Sequence, residues 1–147
     1  MSVLGKGRNE MSAVQLIKSY CVPILTYACE MWQLSASEYN VVNVLWNNTF
    51  RRIFNCCWRE STSSLQFHCS CLPMSHTIDQ QTILYYRRIL RGSNSVLRIL
   101  LQSKQGYVSS LLVKYGINSL FMPQYVIEHC IWNTFVIKNT HRIGVNC

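Results

Sequence analysis

An all-α fold, with about five or six helices in an irregular bundle and no significant sheet, follows from three features of the sequence. Apolar residues recur at helical spacing along most of the chain. The strongest breakers, Pro23, Gly92, Gly116 and Pro123, fall inside or between these periodic stretches rather than at hairpin positions. No alternating strand pattern competes with the helical one, and no internal repeat is present.

The first periodic stretch, residues 13–20, runs into Pro23 and resumes through Ile24, Leu25, Tyr27 and Ala28 to Trp32. Proline lacks an N–H and crowds the preceding turn, so a kink or a division is expected there. Ser35 and Glu38 then stand at capping-box spacing, and Tyr39, Val42, Trp46, Thr49, Phe50 and Ile53 form one apolar stripe behind them. Asn40, Asn47 and Arg51 lie opposite that stripe with Asn48 and Arg52 beside it, which predicts a polar, basic outer face. Residues 55–75 carry two cysteine pairs, a Ser-Thr-Ser-Ser run and Pro73, and read as a Cys/Ser-rich loop.

Three further helices are expected at 77–90, stopped by Gly92, at 94–102, and at 108–115, capped by a left-handed Gly116. The last starts at Pro123, a favoured first helical position, and runs to about residue 139. Its apolar residues surround much of the circumference, which predicts burial on more than one side. The organisation expected is thus a tail over 1–12, a single helical domain over 13–139, and a second tail over 140–147.

With 147 residues, 49% of them hydrophobic, the chain suits one domain with a real core. Fourteen Lys and Arg against six Asp and Glu leave a net charge of +8. Such a surface attracts polyanions, nucleic acid first and an anionic membrane second, although an ordinary basic protein carries the same charge. No stretch reads as a membrane span: the longest charge-free one, 61–78, is rich in Ser, Thr, Gln and His. The N-terminus has Lys6 and Arg8 but no apolar core behind them, so no secretory signal is read and an intracellular setting is expected. There, the eight cysteines behave as free, small apolar residues.

The acidic inventory excludes one large class of chemistry. Two-metal phosphoryl transfer needs carboxylates gathered around two cations. This sequence holds one aspartate, Asp79, and five scattered glutamates, with no adjacent acidic pair. Phosphate loops, nucleophile elbows and zinc-protease motifs are absent too, so no catalytic residue and no cofactor is assigned. Cys56, Cys57, His68, Cys69 and Cys71 crowd into a short span, which raises a small zinc module as a minor alternative. Zinc pairs are usually spaced so that both ligands turn to one ion, and an adjacent Cys-Cys and a Cys-x-Cys fit that poorly. Buried or loop thiols are the expected role, with no metal site.

The run from Tyr20 to Trp32, with Pro23, Leu25, Tyr27 and Glu30 inside it, resembles a signature of non-LTR (LINE-type) retrotransposon reverse transcriptases, found just after the polymerase palm. Phe50-Arg51-Arg52-Ile53-Phe54 is similar to the next landmark of that family. Leu65-Gln66-Phe67 followed by Cys71-Leu72-Pro73 is similar to a third, and Asp79 before an aromatic-basic helix to a fourth. Together they cover residues 13–115. The resemblance implies the thumb and adjoining C-terminal part of the polymerase, which hold template and primer, and not the part that adds nucleotides. The palm that would complete it, and any endonuclease, are missing. Gln80 and Gln81 stand where basic residues often follow the aspartate. Met1 then reads as the start of a frame left by truncation of an element.

Arg87, Arg88 and Arg91 fall within about 100° of one helix face, beside Tyr85 and Tyr86. No acidic residue lies between Asp79 and Glu128, and Arg98 and Lys104 extend the basic field. These five, with Arg51 and Arg52, are the candidate contacts to RNA or DNA backbone, binding without reading sequence. The competing reading is a solvated helix face with the tyrosines in the core. Tyr20, Pro23, Tyr27, Glu30 and Trp32 are expected to pack rather than to react. Several cations on phosphates would give a log–log salt slope of about −2 to −4. The chief rival is a degenerate fragment or helical interaction piece without activity.

Overall fold

A computed structural model of the chain describes residues 9–27, 29, 31 and 34–143. Every regular element among them is helical, in seven rods, so the all-α expectation holds with one rod more than its upper count. The first rod joins α1 (Glu10–Leu16), a wide π turn (Ile17–Cys21) and α2 (Val22–Leu25). There follow α3 (Ala36–Phe54), α4 (Ser63–His68), α5 (Met74–Arg91), α6 (Ser95–Ser103), α7 (Gln105–Lys114) and α8 (Gln124–Ile143). Packing divides the described residues into two compact units, one of 9–27 with 34–75 and one of 29, 31 and 76–143.

In the first unit, Asn9 caps α1 by accepting the Met11 N–H at 3.0 Å. Pro23 does not break the rod: the turn ahead of it widens, and the Val22 N–H reaches back five residues to Ile17. A π turn absorbs in this way the N–H that proline lacks and the clash its ring would cause. The capping box of α3 is complete, with Ser35 Oγ accepting from the Glu38 N–H and Glu38 Oε2 accepting from the Ser35 N–H. Its hydrogen bond to Ser35 holds the Glu38 carboxyl below its ordinary pKa. At the other end Asn55 turns left-handed (φ 52°) and the Cys56 N–H closes on Arg51 O. Asparagine tolerates that conformation better than most residues.

The expected 55–75 loop is corrected by α4, which occupies its centre. Asn47, read above as solvent-facing, is the reason. Its Oδ1 accepts hydrogen bonds from Thr62 Oγ1 at 2.9 Å and Gln66 Nε2 at 2.7 Å, and both donors are buried. Polar pairing across α3 and α4 thus replaces the apolar stripe that sequence periodicity requires. Asn43 accepts from the Ser75 N–H, and Trp46 donates its indole N–H to Leu72 O at 3.1 Å. Trp46 packs edge-on against Phe50, which stacks on Phe54, and Val14, Cys69, Cys71 and Met74 complete this core.

In the second unit Asn94 caps α6 by accepting from the Val96 and Leu97 N–H groups. Gly116 takes φ 62°, as its place after α7 requires, and the Ile117 N–H closes on Leu112 O. Along α8 the buried positions are Ile127, Ile131, Phe135 and Asn139, one stripe at four-residue spacing. Tyr125 and Ile137 stay exposed, so α8 is buried along one side rather than several. It also continues to Ile143, past the expected end at 139 and into the expected tail. No helix among the described residues is long and apolar enough to cross a membrane.

Candidate nucleic-acid interface

The richest basic feature is a groove of about 330 Å³ in the second unit. One wall is the α5 face at helical spacing: Gln80, Gln81, Leu84, Arg87, Arg88 and Arg91. The other is the first turns of α8, which contribute Gln124 and Glu128. Arg87 is half-buried and donates its Nε–H to Met122 O at 2.8 Å, which fixes the guanidinium against the groove. Arg88 and Arg91 are exposed and have no hydrogen-bond or ion-pair partner among the described residues. A guanidinium carries five donors and no acceptor, so this wall suits a phosphate oxygen. The three arginines grouped by helical phase do share one surface.

Glu128 alters the electrostatics that the sequence suggests. Between Asp79 and Glu128 no acidic side chain occurs, but the fold returns Glu128 itself to the arginine face. Gln124 Nε2 donates to its Oε1 at 2.7 Å. The basic field is therefore locally opposed by one carboxylate, which arrives from a helix some forty residues later in the chain.

Three of the four remaining candidate cations do other work. Arg98 donates to Leu90 O and Gly92 O, so it closes the carbonyl end of α5 instead of extending the strip. Lys104 donates to Met31 O at 3.2 Å. In the first unit Arg51 donates to Asn48 Oδ1 and Glu60 O, while Arg52 is exposed. Tyr86 is buried, and that burial raises its phenol above the ordinary pKa; Tyr85 lies edge-on beside it. Tyr86 offers no open ring for base stacking.

The landmarks split. Glu30 and Trp32 lie outside the described residues. Tyr20 and Tyr27 are 67% and 85% exposed and Pro23 is exposed, so they are not packed among the described residues. Asp79, in contrast, is 1% exposed and ties α5 to the end of α7. Its Oδ2 pairs with Lys114 Nζ and accepts from the Tyr115 hydroxyl at 2.7 Å. His76, one turn earlier, meets the rings of Tyr115 and Phe135 edge-on. Burial, then the charges of Lys114 and Lys138, push its pKa down to about 4, with Asp79 opposing. Lys114 carries no signal in local sequence, because its partner lies thirty-five residues away, and Glu128 carries none because it meets the arginine face only through the fold.

The cysteine-rich span does not assemble a ligand set: among the described residues no three His, Cys, Asp or Glu side chains gather to hold a metal ion. Cys69 and Cys71 are buried thiols whose pKa is raised by that burial, with Lys18 acting the other way. Lys18 Nζ donates to Cys69 O and Ser70 O and so fastens this turn to the first rod. Comparison of the chain with protein-family models, with curated proteins and with solved structures finds no match.

Proposed function

We propose that the second unit holds single-stranded nucleic acid by its backbone, without reading sequence and without polymerase chemistry of its own. The observation that carries this reading is the grouping of Arg87, Arg88 and Arg91 on one groove wall, with two of the three free of protein partners among the described residues. The ordered landmarks from Tyr20 to Asp79 support the same reading, since the region they resemble holds template and primer. The single aspartate is committed to Lys114 and Tyr115, which supports a non-catalytic role.

Salt dependence tests it. Four of the seven candidate cations hold carbonyl oxygens, so the slope should be shallower than a count of charges implies. Two to three phosphate contacts on a single strand give a log–log slope of about −1.5 to −2. Fluorescence anisotropy with a short labelled oligonucleotide reads it directly. Replacing Arg88 and Arg91 together with Ala should reduce the slope by about 1.4. Binding that is undetectable, or that ignores salt, removes the proposal.

A second reading, a helical protein-interaction piece, is favoured by the first rod, where Leu16, Tyr20, Ile24 and Leu25 are all at least half exposed. Tyr20→Ser with Ile24→Ser should raise solubility and leave oligonucleotide affinity unchanged; a loss of affinity would place nucleic acid on that rod instead.

A further inference from the structure

We infer that Glu128 selects the ligand of the arginine groove, favouring a strand that presents a sugar hydroxyl beside its phosphate: a ribonucleotide over a deoxyribonucleotide. The inference rests on the phosphate-holding reading of the groove and names its discriminating residue.

A carboxylate in a phosphate groove is unfavourable on charge alone, and arginines in the same groove are its natural partners. Yet among the described residues no ion pair within 4.0 Å joins Glu128 to any of the three. Gln124 holds Oε1 at 2.7 Å, which orients the group and leaves Oε2 without a donor among the described residues. Oε2 is open to solvent, and so to a donor that a ligand brings. The two walls are thus chemically opposite. The α5 arginines only donate hydrogen bonds, and the Glu128 carboxylate only accepts them.

A ligand that spans the groove must bring acceptors to α5 and a donor to α8. A phosphodiester supplies acceptors alone. The ribose 2′-hydroxyl supplies a donor close to the phosphate and is the group by which proteins tell RNA from DNA. Deoxyribose lacks it, so a DNA strand would meet the carboxylate's charge without the compensating bond. Arg87, fixed by Met122 O, and Glu128, fixed by Gln124, are both oriented in advance.

The test uses the full chain and three probes: short oligo(U), oligo(dU) and 2′-O-methyl oligo(U). A hydrogen bond to a charged acceptor should favour oligo(U) about tenfold over the other two. Glu128→Gln keeps the Gln124 contact and the helix while removing the charge. It should cut the preference to about threefold or less, with oligo(dU) bound no more weakly than by the parent. Equal affinity of the parent protein for all three probes overturns the inference but leaves the groove reading standing, and so does an undiminished preference in Glu128→Gln. Failure of every probe to bind overturns both. Because the 2′-O-methyl comparison needs no variant, a folding defect in Glu128→Gln cannot mask the result.

Discussion

His76→Gln should flatten the acid limb of the stability curve of the second unit. In the folded chain the imidazole is held neutral down to about pH 4, against an ordinary value of 6.5. The unfolded chain takes up a proton that the folded chain refuses as pH falls between those values, so stability declines through that window and levels off below it. Above 6.5 both states are neutral and the effect vanishes. Between pH 7 and pH 5 the difference amounts to about 2 kcal/mol, and over the whole window to about 3 kcal/mol. Both are upper figures, because water entering near Lys114, whose side chain is 42% exposed, would soften the burial that causes most of the shift. Urea unfolding followed by circular dichroism at pH 7 and pH 5 measures it, with the carboxylates common to both proteins cancelling in the comparison. The parent should lose about 2 kcal/mol more than His76→Gln over that step. Equal losses in the two proteins would refute the reasoning.

Two other substitutions follow from the packing. Asp79→Ala removes the partner of Lys114 and leaves the buried Tyr115 hydroxyl without its acceptor, and it should cost about 2–3 kcal/mol in thermal or urea unfolding. A cost below about 0.5 kcal/mol, as for an ordinary surface residue, would mean that the carboxylate does not join α5 to α7. Asn47→Ala should cost about 2 kcal/mol or more in the first unit, because two buried donors lose one shared acceptor. The solvent-face reading of Asn47 predicts almost no change, so the measurement decides between them.

Much of the helical plan was legible because its signals are local. Ser35 and Glu38 lie three residues apart and form the box their spacing predicts. Gly116 adopts the left-handed turn assigned to it, and the arginines of α5 share a face because helical phase alone puts them there. The α4 helix has no such local signal. Its stabilising contacts are polar, Gln66 and Thr62 on Asn47, so hydrophobic periodicity carries no trace of it. Pro23 was legible as a disturbance, but not as a π turn that keeps the rod continuous, since that outcome depends on which carbonyl the neighbouring N–H reaches.

The basic field shows the same division more sharply. Counting Arg51, Arg52, Arg87, Arg88, Arg91, Arg98 and Lys104 from the sequence treats them as equivalent charges. Their partners make them unequal: Arg98 reaches Leu90 and Gly92, Lys104 reaches Met31, and Arg87 reaches Met122. A guanidinium or ammonium spent on a carbonyl is held in place, whereas exposed Arg88 and Arg91 have no such partner among the described residues. By itself the sequence determined most of the helices, the Ser35–Glu38 and Gly116 caps, the arginine face and the want of gathered carboxylates, all properties of composition or of neighbours within a turn. Only the tertiary structure decided which cations remain available, that Asp79 is spent on Lys114 and Tyr115, and that Glu128 stands in the arginine groove. Those outcomes depend on residues far apart in the chain meeting across helices, and no local spacing encodes such a meeting.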